Sequence, residues 1–234
     1  MSMNFWQEED DRSTPYQVPD DIVDMVYKVD CRMLPTDHAQ ALSSALMGAL
    51  PWLAEEEDAA IHTIHVAESG NGWIRPDDPD DVLYLSRRTR MTLRVPKHRI
   101  EDAHGLTGQV LDVAGQRLRV GPGHVRKLST QPVLFARYVA GDDVDDEERF
   151  LRQVYDWVSA LGVRPRKMMP GRRHVLQSDT GPLATRSLML ADLSRDEAVR
   201  LQQKGIGPGR KLGCGIFIPH KGIEAVRNSR AEAT

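Results

Sequence analysis

The order in which apolar patterns succeed one another along this chain constrains its fold more than any single residue. Residues 22–34 (IVDMVYKVDCRML) alternate in part, are rich in branched side chains and stop at Pro35, as a strand would. Thr36 or Asp37 can then cap a helix, because Ala41, Leu42, Ala45, Leu46, Ala49 and Leu50 recur at helical spacing until Pro51. Residues 61–66 and 82–95 read as strands, the second placing Arg88, Arg90, Thr92 and Arg94 on one face. A short helix over residues 99–104 and a strand over 110–120 close a β-α-β-β-α-β unit. The same order follows again: a strand at 133–139, an amphipathic helix at 145–161 and two strands around Gly181-Pro182. A helix capped by Ser194 with Glu197 at its third position, and a last strand at 214–219, complete it. The expected fold is α+β, two tandem ferredoxin-like units at residues 20–129 and 130–222. Flexible tails are expected at 1–19 and 223–234, and no sequence similarity links the halves.

Residues 205–215, GIGPGRKLGCG, interrupt this pattern between the last helix and the last strand. Five glycines in eleven residues suit a backbone that approaches a phosphate closely or adopts positive φ, and Arg210 and Lys211 add charge beside it. The segment has no GK[ST], so it is no Walker loop; its glycines follow a helix instead of opening one, so it is no dinucleotide fingerprint. A bare αβ connection with Gly205 as a helix C-cap stands as the alternative.

Charge divides along the chain. The net charge is −3, but residues 1–58 carry 13 acidic and 3 basic side chains, whereas residues 161–221 carry 12 basic and 4 acidic ones. A local excess of this kind can neutralise phosphates whatever the total. Acidic residues also cluster at Asp77, Asp78, Asp80 and Asp81 and near Asp142, in loop-like sequence that only needs solvation. Apolar content of 40% without a long apolar run excludes a membrane span, and the acidic N-terminus lacks a secretion signal, so the cytoplasm is expected. Cys31 and Cys214 have no CxxC partner and read as buried thiols. With no HExxH and no ligand-spaced acidic cluster, neither metal nor cofactor is expected.

Gly205, Gly207, Gly209, Arg210, Lys211, Gly213, Cys214, Gly215, Phe217, Pro219, His220 and Lys221 together resemble a motif of the CRISPR-associated endoribonucleases that process precursor CRISPR RNA, the Cas-six family. LMLADLSRDEAVRLQQKGIG is similar to that family's final helix and LPTDHAQALSSALMGALPWL to its first, so the resemblance spans most of residues 20–222. It implies metal-independent cleavage of CRISPR repeat RNA by the 2′-hydroxyl upstream of the scissile phosphate. The products would bear 2′,3′-cyclic phosphate and 5′-hydroxyl ends, and the enzyme would retain the mature crRNA. It also implies His38, on the first helix, as the catalytic histidine; the alternative is that His38 merely flanks Leu42 on the inner face.

Histidine suits proton transfer near neutrality, and seven others compete. His62 and His65, three apart, do not share a face on a strand, which leaves room for one buried and one functional residue. His220 either supports the last strand or lines the RNA path. His98, His104, His124 and His174 lie in basic loops or flank strands, the setting of surface residues. Tyr27 reads as core. The expected RNA-binding set is Arg87, Arg88 and Arg90 on a strand, Arg172 and Arg173 in a basic loop with Arg164, Arg166 and Lys167, and the glycine segment itself. Aromatic content of 6% favours backbone and shape recognition of a hairpin over base stacking. A crRNA-binding subunit that does not cut, part of a CRISPR ribonucleoprotein effector complex, is the alternative function; a small-molecule enzyme with an unrelated glycine loop is a third.

Overall fold

The computed structural model describes residues 16–66 and 81–220, which two separate antiparallel sheets organise. The first half runs β1 (Ile22–Asp30), β2 (Met33–Pro35), α1 (Ala39–Ala49), α2 (Trp52–Glu55) and β3 (Ala60–Ile61). It continues with β4 (Val82–Tyr84), β5 (Arg90–Pro96), α3 (Ile100–His104), β6 (Val110–Val113) and β7 (Gln116–Arg126). The second half runs β8 (Leu134–Ala140), α4 (Glu147–Ala160), β9 (Lys167–Ser178), β10 (Gly181–Ala191), α5 (Arg195–Lys204) and β11 (Phe217–Pro219). The sheets have the orders β3-β5-β1-β7-β6 and β11-β8-β10-β9, so both halves are ferredoxin-like units with the first strand in the middle.

In each unit one sheet face holds the core. Val23, Met25, Tyr27 and Val29 alternate along β1 and pack with Leu42 and Leu46, which lie four apart on α1. Tyr27 is fully buried and donates its hydroxyl to the Ala103 carbonyl at 2.7 Å, the core role its sequence suggests. In the second unit Phe150, Val154 and Val158 of α4 meet Leu188 and Leu190 of β10. Burying side chains of this size is worth about 1.5–3 kcal/mol each, which sets the helices on their sheets. Asp146 caps α4 by accepting the amides of Glu148 and Arg149, and Ser194 with Glu197 forms the expected capping box on α5.

Several boundaries differ from the sequence reading. The first strand ends at Asp30; Met33–Pro35 leaves it and pairs with Val82–Tyr84 in a two-stranded sheet of its own. Of the expected strand at 61–66 only Ile61, with Ala60 before it, joins the first sheet. The stretch from 82 to 95 is two strands separated by a turn at residues 86–89, so Arg87 and Arg88 leave the face occupied by Arg90 and Thr92. Residues 110–120 form a hairpin, with Ala114 and Gly115 at positive φ in its turn. Arg172, Arg173 and Lys167 belong to β9 rather than to a loop, because β10 pairs along its whole length. Cys214 is buried and Cys31 half-buried. The acidic residues Asp77, Asp78 and Asp80, Lys221, and the expected tails except for residues 16–19 lie outside the described residues. No helix among the described residues is long and apolar enough to cross a membrane.

Candidate nucleic-acid interface

The outer face of the first sheet turns toward the second unit, and its charges sit in cross-strand register. Asp24 lies opposite Arg94 on one neighbouring strand and Arg126 on the other. Arg94 donates Nε to Asp24 Oδ1 at 2.9 Å, and its Nη1 reaches two carbonyls of the second unit, Gln202 at 2.7 Å and Phe217 at 3.1 Å. Arg94 is 1% exposed, so it ties the two units together and is not available to RNA. Burial opposes the Asp24 carboxylate, yet Arg94 and Arg126 hold its pKa well below the usual carboxylate range. His62 packs beside this cluster with Nε2 3.8 Å from Asp24 Oδ1. Burial, reinforced by Arg94, Arg126 and Arg210, drops its pKa to about 3, so it is neutral near pH 7.

The glycine segment lies within this interface. Gly205, Gly213 and Gly215 are buried, and their amides are already bonded to the carbonyls of Leu201, Arg210 and Tyr138. A Cβ on Gly213 would meet Thr63 Cγ2 at 2.8 Å, and one on Gly215 would stand 1.8 Å from the Ile206 carbonyl oxygen. Positive φ at Gly205, Gly207, Gly209, Gly213 and Gly215 thus serves close packing of protein on protein. Arg210 folds back onto the Gln203 and Lys204 carbonyls at the α5 C-terminus and reaches the Asp58 carbonyl at 3.3 Å. Lys211 donates to the carbonyls of Glu56 at 2.5 Å and Ala59 at 2.6 Å. Burial, with Arg210 nearby, lowers the Lys211 pKa to about 8. These contacts make the segment a clasp between the units, with Gly207, Gly209, Arg210 and Lys211 half-buried along it.

His38 is 2% exposed at the N-cap of α1, its Nδ1 lies 2.9 Å from the Pro35 carbonyl, and its Nε2 accepts the Ile64 amide at 3.0 Å. In this pattern Nδ1 donates and Nε2 accepts, so the ring joins the start of α1 to the backbone at Ile64. Asp37, the expected cap, instead accepts the Gln177 amide of β9 at 2.7 Å, another tie between the units.

Two open clefts along the junction are lined by residues of both units, basic ones among them. The larger, about 510 Å³, is bordered by Arg88, Arg90, Arg126 and Lys127 from the first unit and Arg137 from the second, with His65 and the edge of His62 in its wall. Among the described residues that line it the one carboxylate is Asp24, already engaged by Arg94 and Arg126. Arg88 and Arg90 thus lie where sequence placed basic residues, whereas Arg87 is exposed on the adjoining turn. Arg126, Lys127 and Arg137 escaped the sequence reading, because the Arg126-Lys127 pair ends one strand, Arg137 stands singly in another, and only the packing of the two units collects them. The second cleft, about 330 Å³, opens where α1 meets β9 and is bordered by Thr36, Asp37, Tyr138, Arg172, Arg173 and His174. Arg172 and Arg173 are exposed at its rim, and Arg173 pairs with Asp145.

Two antiparallel ferredoxin-like units locked by a glycine-rich clasp, with a basic cleft between them, define the class of tandem ferredoxin-like proteins. The family model described as Cas6 Crispr matches residues 23–222. The CRISPR-associated endonuclease Cas6 of Myxococcus xanthus (strain DK1622) is 32% identical over 197 residues, covering 84% of this chain and 81% of that protein. The chain belongs to the Cas6 family. Solved structures share its fold at low identity. An RAMP protein binding different RNA substrates superposes with a TM-score of 0.58 at 13% identity, over 85% of this chain and all of that one. A CRISPR-associated protein Cas6 gives 0.56 at 12%, over 86% and 100%, and a Cas6-related protein from Pyrococcus furiosus gives 0.52 at 12%, over 84% and 97%.

Proposed function

We propose that this Cas6-family endoribonuclease, acting on CRISPR repeat RNA in the cytoplasm, lays the repeat along the larger cleft and cuts it once without a metal. The observation that carries the reading is the convergence of five basic side chains, drawn from both units, on one open cleft in whose described lining the one carboxylate, Asp24, is already paired. Such a surface attracts a phosphate backbone without reading base sequence, and the pairing of β9 with β10 offers Arg172 and Arg173 to the flank of a hairpin stem.

In the reaction, the 2′-oxygen upstream of the cut attacks the phosphorus, the P–O5′ bond breaks, and a proton passes in net from O2′ to O5′. The chain must supply a proton acceptor and positive charge against the non-bridging oxygens. The products carry 2′,3′-cyclic phosphate and 5′-hydroxyl ends, and the upstream product stays on the basic surface because most of its phosphate contacts survive the cut.

The test is cleavage of a hairpin repeat RNA in excess EDTA, with the product ends mapped. A single cut with cyclic phosphate ends, abolished by a 2′-deoxy nucleotide just upstream of the cut, is expected. Cleavage that requires a divalent ion, or that tolerates the 2′-deoxy substitution, overturns the proposed chemistry. Binding without any cut points to a non-catalytic crRNA-binding subunit.

A further inference from the structure

The rim of the second cleft already carries an anion of the chain's own. Arg173 of β9 donates Nη1 to the carboxylate of Asp145, in the turn that leads into α4. That turn is acidic at Asp142, Asp143, Asp145 and Asp146, and three of these carboxylates serve α4 itself. Asp142 accepts Gln153 Nε2 at 3.1 Å, Asp143 pairs with Arg149 at 3.5 Å, and Asp146 caps the helix. Asp145 instead reaches the strand. Val144, buried in the core of the second unit, anchors the turn beside it, so packing as well as charge holds this carboxylate at β9.

The strand pairing creates a demand for anions at this place. Arg173 lies directly opposite Arg186 of β10, and like charges facing each other across a strand pair repel. Arg186 donates Nη1 to Glu147 at 3.2 Å, so each guanidinium has a carboxylate from the start of α4 to offset it. The two pairs differ in access. The Arg186 side chain is 11% exposed, whereas those of Arg173 and Asp145 are 59% and 80% exposed, so a competing anion reaches only the second pair easily. A carboxylate and a phosphodiester offer a guanidinium the same partner, two oxygens sharing one negative charge. An RNA phosphate therefore fits where Asp145 now sits.

We propose that Asp145 fills a phosphate subsite: a phosphate of the RNA stem binds Arg173 by displacing this carboxylate, and Asp145 takes the place back when the RNA leaves. Asp145 is thus an internal competitor that lowers the affinity of the β9 rim for the stem. RNA without a stem, confined to the larger cleft, does not meet it. The inference rests on the reading of the chain as a repeat-RNA endoribonuclease and adds to it a residue that opposes binding. The rival is general repulsion by the acidic turn, in which the neighbouring Asp143 would count as much as Asp145.

The experiment is equilibrium binding of a hairpin repeat RNA, and of a single strand that lacks the stem, to wild type, D145A, D143A, R173A and D145A/R173A. D145A should bind the hairpin about two- to fivefold tighter than wild type, the worth of an exposed ion pair. Its affinity for the single strand, and that of D143A for either RNA, should stay within about twofold of wild type. D145A/R173A should bind the hairpin no tighter than R173A, because the competitor acts only through Arg173. The assignment is overturned if D145A gains less than about twofold on the hairpin, if the gain persists in full without Arg173, or if D143A or the single strand shows the same gain. In each of these cases wild type still binds the repeat; a wild type that binds neither RNA removes the underlying reading and the subsite with it.

Discussion

One buried and one half-buried histidine carry opposite consequences for a substitution. His38 serves the Pro35 carbonyl and the Ile64 amide at once, so H38A strips partners from two main-chain groups where α1 begins. Each unsatisfied group costs about 1–3 kcal/mol, and urea unfolding of H38A should show a loss of about 2–4 kcal/mol. A loss below about 1 kcal/mol would mean the two bonds contribute little. His62 acts through protons instead. Its folded pKa is about 3, against the ordinary histidine value in the unfolded chain, so the unfolded chain binds more protons between those limits. Stability is then fully present above about pH 6.5 and falls as pH drops toward 3. Between pH 6.5 and 4.5 wild type should lose about 2 kcal/mol, and H62Q should flatten that limb because glutamine takes up no proton. A limb equally steep in H62Q would place the acid sensitivity on another group.

At the scale of elements, the clasp from Gly205 to Gly215 is the joint most sensitive to one added carbon. Gly215 combines φ of +64° with an Ile206 carbonyl oxygen that a Cβ would overlap. G215A should therefore cost more than about 3 kcal/mol, whereas P208A, at an exposed position, should cost less than about 1. Comparable melting temperatures for the two variants would remove the clasp from the list of structural essentials. This element also marks where sequence stops being legible. The glycine spacing announces unusual backbone, but Lys211 donates to the carbonyls of Glu56 and Ala59 and Arg210, besides its local bonds to Gln203 and Lys204, reaches that of Asp58, so the contacts to the first unit are invisible locally. The capping box at Ser194 and the α1 stripe are legible because every partner lies within one helical turn. Strand ends are less so: Met33–Pro35 could continue β1 by pattern, and only pairing with Val82–Tyr84 diverts it. The larger cleft follows the same rule, since Arg126 and Arg137 become neighbours only when two sheets meet.

For the whole molecule, the net charge of −3 gives a poor guide to what the surface offers a polyanion. Many acidic side chains of the first unit are spent locally: Asp20 on Lys97, Glu56 on Arg99 and His98, Asp58 on Lys204. Beyond about 8 Å such charges are screened at physiological ionic strength, so RNA in the cleft responds to the five cations around it and not to the total. Each phosphate neutralised there releases counterions, and log affinity should fall with log salt by about 0.7 per contact on single-stranded RNA. If most of the five basic side chains engage phosphates, the slope is about −3, and R126A and R137A should each make it shallower by about 0.7 whatever the sequence of the RNA. R149A, whose exposed guanidinium is paired with Asp143 and Asp146 on α4, should leave the slope unchanged. A slope indifferent to Arg126 and Arg137 but reduced by R172A would move the whole RNA path to the β9 rim, because the salt dependence counts only phosphates that the protein touches.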